Sequence, residues 1–257
     1  MPTALITGAS SGFGEEFARQ LARRKFDLVL TARRKERLET VAAEAKRLGA
    51  SNATVIAADL GTPNAARDIH RQLSDAKIAV DYLVNNAGFG TRGRFERLAL
   101  DRELEQVKLN VTALVALTGL FMPAMVERGR GMIINVASTA AFQPVPFMAT
   151  YGATKAFVLS FSEALAEELS GSGVRVMALC PGPSRTEFQA VANVLDAKMP
   201  SFAYMDAKSV VAKAIDAAER GKAVRITGAM NFMLAQSARI TPRRVVAKIA
   251  GSMFRVA

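Results

Sequence analysis

Short runs of β-branched and aliphatic residues alternate along the chain with longer stretches whose apolar positions recur every three to four residues. Parallel strands buried on both faces read as near-continuous apolar runs, whereas helices covering a sheet keep a one-sided apolar stripe. The pattern predicts strands at 4–6, 27–31, 53–57, 82–84, 132–136, 175–179 and 224–226. Helices are predicted at 14–24, 35–48, 63–76, 101–126, 151–169 and 207–220, several opening on a cap such as Thr62 before Pro63. Alternating strands and helices make βαβ units, so the expected fold class is α/β, a doubly wound parallel sheet of about seven strands with helices on both faces.

Composition narrows the class. A chain of 257 residues with 50% apolar content can bury one sizeable core. One domain at 1–228 is expected to hold both cofactor and active site, with a basic amphipathic tail of the same domain at 229–257. A single cysteine, Cys180, and an N-terminus without a basic-then-apolar leader fit a cytoplasmic protein, the cysteine acting as a small buried hydrophobe. One histidine, His70, excludes a histidine-rich metal site, and its charged neighbours suggest solvated surface. The uncharged stretches 109–126 and 131–154 approach membrane-span length, but prolines and hydroxyl residues suit packing on a sheet better.

The formal charge of +11 sits mainly in the tail, where residues 220–257 carry eight Lys or Arg and no acid. There Thr241-Pro242 predicts a helix running to about Arg255, with Val245, Val246, Ile249, Met253 and Val256 on one face and Arg244, Lys248 and Arg255 on another. Such a tail covers the substrate pocket, packs on a second subunit, or lies weakly on an anionic membrane surface.

The first predicted strand runs into Gly8-Ala9-Ser10-Ser11-Gly12-Phe13-Gly14 and then a helix. Glycines allow a tight turn, and the exposed amides of a helix start favour a phosphate; a plain glycine turn is the alternative. The second strand ends at Ala32-Arg33-Arg34, where a dinucleotide fold meets the adenosine ribose. Two arginines there pair with a 2′-phosphate, favouring NADP(H) over NAD(H), unless they simply begin a solvated helix.

Residues 128–162 contain no Asp, Glu or His, although they cross the carboxyl edge of the predicted sheet. Proton transfer there must use Tyr151, Lys155 or a hydroxyl such as Ser138. Tyr151 and Lys155 stand one turn apart on one helix face, and a close ammonium together with a positive nicotinamide is expected to lower the phenol pKa.

With these residues in place the chain resembles the short-chain dehydrogenase/reductase family, a Rossmann-type fold, over nearly its whole length up to the tail. Gly8, Gly12 and Gly14 resemble its pyrophosphate loop, Asp59 with Leu60 its adenine contact, and Asn85-Asn86-Ala87-Gly88 the segment closing the fourth strand. Asn110, Ser138, Tyr151 and Lys155 fall at its active-site spacing, and Pro181-Gly182-Pro183-Ser184-Arg185-Thr186 resembles the loop whose threonine holds the nicotinamide carboxamide. The resemblance implies hydride transfer between NADP(H) and a small-molecule carbonyl or alcohol. Tyr151 is then proton donor or acceptor, Ser138 holds the carbonyl oxygen, Lys155 holds ribose hydroxyls, and Asn110 anchors a water that refills the proton. A homodimer or homotetramer without a nucleic-acid partner is expected.

Phe89, Phe95, Phe142, Phe147, Met148 and Phe188 fall near the loops at the carboxyl edge and point to a lipophilic substrate, with 188–207 as a lid. The rival reading is a catalytically silent NADP(H)-binding regulator or scaffold.

Overall fold

The computed structural model describes residues 1–184, 186–197 and 204–256. All seven predicted strands pair in parallel: β1 (Thr3–Thr7), β2 (Asp27–Ala32), β3 (Ala53–Ala57), β4 (Tyr82–Asn85), β5 (Gly131–Val136), β6 (Val174–Cys180) and β7 (Val224–Ile226). The strand order is β3-β2-β1-β4-β5-β6-β7, with Leu5 beside Val29 and Asn85 beside Asn135. The order reverses between β1 and β4, and it is at the carboxyl ends of such a pair that doubly wound sheets open a ligand crevice.

Strand periodicity splits the core into two layers. Ala4, Ile6, Leu28, Leu30 and Ile134 face α1 (Gly12–Arg23), α2 (Lys35–Leu48) and α8 (Ala207–Glu219), packing on Phe17, Leu21, Leu38 and Ile215. Leu5, Val29, Leu83, Ile133 and Val176 face α3 (Ala65–Asp75) and α5 (Ala113–Glu127), packing on Ile69, Leu73, Leu117 and Met125. Each such fully buried side chain contributes about 1.5–3 kcal/mol relative to exposure.

Helix boundaries depart from the sequence pattern most at two places. The helix expected from Pro63 begins instead at Ala65: Thr62 Oγ1 donates to Asp59 O, and Asn64 takes a left-handed φ of 68° at the cap. The long helix expected at 101–126 divides into α4 (Leu100–Val107), a π-helical turn (Lys108–Thr112) and α5. Its 28 residues, Leu100–Glu127, have the length and apolarity of a span, but α5 packs on the sheet through Leu114, Leu117, Phe121 and Met125. His70 is not simply solvated; it is half-buried edge-on against Phe121, ring centroids 5.1 Å apart.

The tail forms two helices, α9 (Ala229–Ile240), which the sequence pattern did not predict, and α10 (Arg243–Phe254). The expected apolar face of α10 is rotated. Val246, Ala250 and Gly251 are buried, whereas Val245 and Ile249 are exposed, because Gly251 lets the helix close on Pro146, where an added Cβ would stand 3.3 Å from that ring.

Candidate active site

The turn from β1 into α1 brings backbone against backbone. Gly8 has φ +63°, and a Cβ there would lie 2.8 Å from Asn86 Nδ2; a Cβ on Gly14 would collide with Gly8 O. Thr7 Oγ1 accepts from Asn86 N and Ala87 N (both 2.9 Å) and donates to Val84 O, while Asn86 Nδ2 donates to Thr7 O (2.9 Å) and Gly8 O (3.3 Å). The loops after β1 and β4 are thereby locked side by side. Ser11 caps α1 in extended conformation without a side-chain bond to the helix amides, which leaves the first-turn amides of α1 facing the crevice.

One cavity of about 600 Å³ runs along this edge. Its cofactor end is lined by Gly8, Ser10, Ser11, Gly12, Phe13, Arg33, Arg34, Asp59, Leu60, Asn86, Ala87 and Gly88. Thr186 lies over Gly12, with Pro181 and Gly182 beside it on the wall. Gly14 lies beneath the floor and does not line it. Arg33 is exposed, but Arg34 is already engaged: its guanidinium donates to Ser10 O (3.2 Å) and to Glu187 Oε2 (2.8 Å). Asp59 accepts from Gly61 N (2.9 Å), shaping its own turn. Arg185 is outside the described residues, as is the 198–203 part of the expected lid.

The other end is built on β5 and α6 (Ala149–Glu168). Ser138 follows β5, accepts from Ala140 N (3.1 Å) and is hydrogen-bonded to Tyr151 through the side chains. Tyr151 and Lys155 are both buried, one turn apart on α6. Lys155 by itself does not lower the Tyr151 pKa. Lys155 Nζ donates to Val136 O (2.7 Å) and stands 5.8 Å from the centre of the Tyr151 ring. Burial therefore prevails and pushes the phenol up to about 12, opposed only by the Ser138 bond. The same burial brings Lys155 down to about 8. Cys180 is buried beneath, its thiol pushed up to about 12, and behaves as the small hydrophobe expected.

Asn110, in the π-helical turn, does not line the cavity. Its Oδ1 accepts from Phe89 N (3.1 Å), and its Nδ2 donates to Phe89 O (2.9 Å) and Thr154 Oγ1 (3.1 Å). It thus ties the loop after β4 to the helix carrying Tyr151 and Lys155. A second buried network reinforces that join: Asn85 donates to Thr118 and Asn135, Asn135 to Ser162, and Ser162 to Val158 O. Sequence reasoning missed its Thr118, Asn135 and Ser162, although a polar residue inside an apolar strand, as at Asn135, was an available signal.

Of the expected apolar residues, Phe89, Met148 and Phe188, the last opening the short helix α7 (Phe188–Val191), line the cavity, with the Phe188 and Tyr151 ring centroids 5.3 Å apart. Phe95, Phe142 and Phe147 do not: Phe95 is exposed and Phe142 packs into a separate core cluster. Their places are taken by Val145, Val194, Leu234, Val246, Ile249 and Phe254, largely from the lid segment and tail. Asn231, a lone amide in the apolar run of α9, is buried against Gly182 and was also missed. Arg92, buried in the loop after β4, holds the tail in place by donating to Phe254 O (2.8 Å), Arg255 O (2.9 Å) and Asn193 O (3.1 Å), and it pairs with Asp196.

The family model of the short chain dehydrogenases matches residues 2–194 and ends before the basic tail. Serine 3-dehydrogenase of Agrobacterium fabrum is 39% identical over 191 residues, 74% of each chain. A short-chain dehydrogenase from Sphingobium yanoikuyae, solved in complex with NADPH, superposes with a TM-score of 0.83 at 36% identity, covering 93% of this chain and 94% of that one. The bulky-bulky ketone specific alcohol dehydrogenase of Comamonas testosteroni superposes with a TM-score of 0.79 at 33% identity, covering 93% and 92%. The chain spans 62% of the length of one curated relative and 74–75% of others. Because the matched span takes in both ends of the cavity and these two structures superpose over 93% of the chain, the protein belongs to the short-chain dehydrogenase family of oxidoreductases.

Proposed function

We propose that the protein is an NADPH-dependent reductase of a lipophilic ketone or aldehyde, also able to run the reverse alcohol oxidation. The observation that carries the reading is the polarity of the cavity: among the described lining residues the charged ones are Arg33, Arg34, Asp59 and Glu187 at the cofactor end and Lys155 behind Tyr151, and none lies among Val145, Met148, Phe188, Val194, Leu234, Val246 and Phe254. Arg33 and Arg34 suit a 2′-phosphate, the glycine turn and α1 amides a pyrophosphate, and Thr186 with Lys155 the nicotinamide riboside. NADPH, when bound, supplies the hydride. A relative solved with NADPH supports that choice of cofactor.

In reduction Ser138 donates a hydrogen bond to the substrate oxygen, where negative charge develops, and Tyr151 delivers the proton. A phenol held near 12 stays protonated at neutral pH, which suits it to donate rather than accept. Lys155 places a cation beside the ribose hydroxyls. We assign Asn110 a positioning role beside the water contact the resemblance implies, because its amide joins Phe89 to Thr154 while its remaining acceptor capacity stays available to a water. A zwitterionic amino acid, the substrate named for the Agrobacterium relative, would meet no counter-charge among the described residues at the apolar end. The Comamonas relative, named for bulky ketones, fits this wall better.

We extend the reading to self-association. Leu100, Leu104, Val107, Val115 and Phe157 are exposed on α4, α5 and α6, and such a patch supports a homodimer or homotetramer closing over it. NADPH consumption with aldehydes and ketones of graded hydrophobicity tests the chemistry. Specificity should rise with apolar size. Preference for charged substrates, or no turnover with any carbonyl, would refute it and favour a binding-only protein.

A further inference from the structure

Elsewhere on this protein many exposed arginines stand beside acids, as Arg71 does with Asp68, Arg102 with Glu105 and Arg220 with Asp216, and those that do not, such as Arg23, Arg47 and Arg67, lie on acid-bearing helices. On α9 and α10 there are cations and no acids. Arg239, Arg243, Arg244 and Lys248 are exposed and have no ion-pair partner among the described residues, and the sequence holds no acid beyond Glu219 to provide one.

Interleaved with these cations is an apolar surface. Met230, Met233 and Ile240 follow one side of α9 at helical spacing, with Phe232 adjacent, and Ile240 is 88% exposed. On α10, Val245 and Ile249 are one turn apart and exposed, each one position after the cations Arg244 and Lys248. Leu234 and Ile249 are half exposed yet also line the cavity, together with Ala238 and Thr241, so the cavity reaches the surface between the two helices.

The charge decides the occupant. A second copy docking here about a two-fold axis would set the same unpaired cations against themselves, and like charges across an interface oppose association. Nucleic acid would pair the cations but leave Met233 and Ile240 without an apolar environment. A bilayer containing anionic lipid accommodates both, taking the apolar side chains into the acyl boundary while the cations meet headgroups.

We infer that the α9–α10 face docks on an anionic membrane surface, with the mouth of the active-site cavity opening toward the lipid. Entry of substrate from the bilayer rests on the lipophilic-substrate reading above; the docking does not. It needs no turnover to be seen.

The test is co-sedimentation of the full chain with phosphatidylcholine vesicles, with and without phosphatidylglycerol, across a salt series. Two variants lie outside the cavity: Arg243→Glu/Arg244→Glu/Lys248→Glu, and Phe232→Ser/Met233→Ser/Ile240→Ser. NADPH binding by fluorescence reports that each has folded. Wild type should bind anionic vesicles only and release with salt. Loss of the three cations should weaken partition about a hundredfold, at about fivefold each, and the added acids should weaken it further; the serine variant should also lose binding. Absence of binding at low salt overturns the inference, as does equal binding to neutral vesicles or retention by either variant. So does sedimentation velocity showing that the wild type pairs through this face and the variants do not.

Discussion

Removing the Arg92 side chain should loosen the tail without disturbing the sheet. The side chain is 3% exposed, and its guanidinium donates to the backbone carbonyls of Phe254, Arg255 and Asn193, joining the end of α10 and the lid segment to the loop after β4. A cation at these last helical carbonyls also meets the negative end of the helix dipole. Three charge-assisted bonds at about 1.5 kcal/mol each set a loss of about 4–5 kcal/mol for Arg92→Ala, and water reaching the vacated carbonyls reduces it to about 3 kcal/mol. Asp196 is exposed and adds little. The loss falls on tail docking because α10 can open as a local unit. Amides in 243–254 should exchange with solvent about a hundredfold faster, as about 3 kcal/mol implies, while β1 and β4 amides stay protected. Because Phe254 and Val194 line the apolar end, KM for a large ketone should rise more than for a small aldehyde. Arg92→Lys, with one point charge in place of a planar fork, should recover only part. Tail amides exchanging at the wild-type rate in Arg92→Ala would refute the reasoning.

Cofactor preference should respond to the rim of the cavity. NADPH should bind more tightly than NADH, Arg33→Asp should narrow or reverse the difference, and Glu187→Gln, by releasing Arg34, should tighten NADPH severalfold, the modest size reflecting an exposed pair; fluorescence titration that gives equal affinities in the wild type would assign the arginines to a surface helix. The buried Lys155 gives opposite pH trends for activity and stability. With its pKa brought down to about 8, it loses its charge as pH rises through that value, so kcat/KM and NADPH affinity should fall above pH 8. The unfolded chain keeps this proton to about 10.5. It therefore binds more protons than the folded chain between 8 and 10.5, and the contribution of this group to stability rises across that window. Activity flat across that window would contradict the assignment.

The sheet was legible because its central strands are buried on both faces and so appear as apolar runs, as in Ala4-Leu5-Ile6 and Val176-Met177-Ala178-Leu179-Cys180. The cofactor turn was legible because Gly8 and Gly14 tolerate no side chain. Features set by a distant partner were not. The break at Asn110 lies inside a continuous helical pattern and shows itself only through Phe89 and Thr154. The share of Lys155 in lowering the Tyr151 pKa was read from spacing, and spacing does not say that its ammonium points to Val136 O. Helix α9 escaped because its apolar side chains face outward, which blurs the stripe that marks a packed helix. Arg92, between Thr91 and Gly93, reads as loop surface until the tail folds over it.

The central claim is that Tyr151 delivers the proton to a carbonyl reduced at the expense of NADPH. Tyr151→Phe removes one hydroxyl and little of the cofactor wall, so the measurement is NADPH oxidation by wild type and variant with the best ketone of the panel, alongside NADPH affinity by fluorescence. The account predicts a rate lower by a factor of about 100 or more with affinity nearly unchanged, since general acid catalysis typically contributes at least that much. A phenylalanine variant that keeps more than about a tenth of the wild-type rate would contradict it.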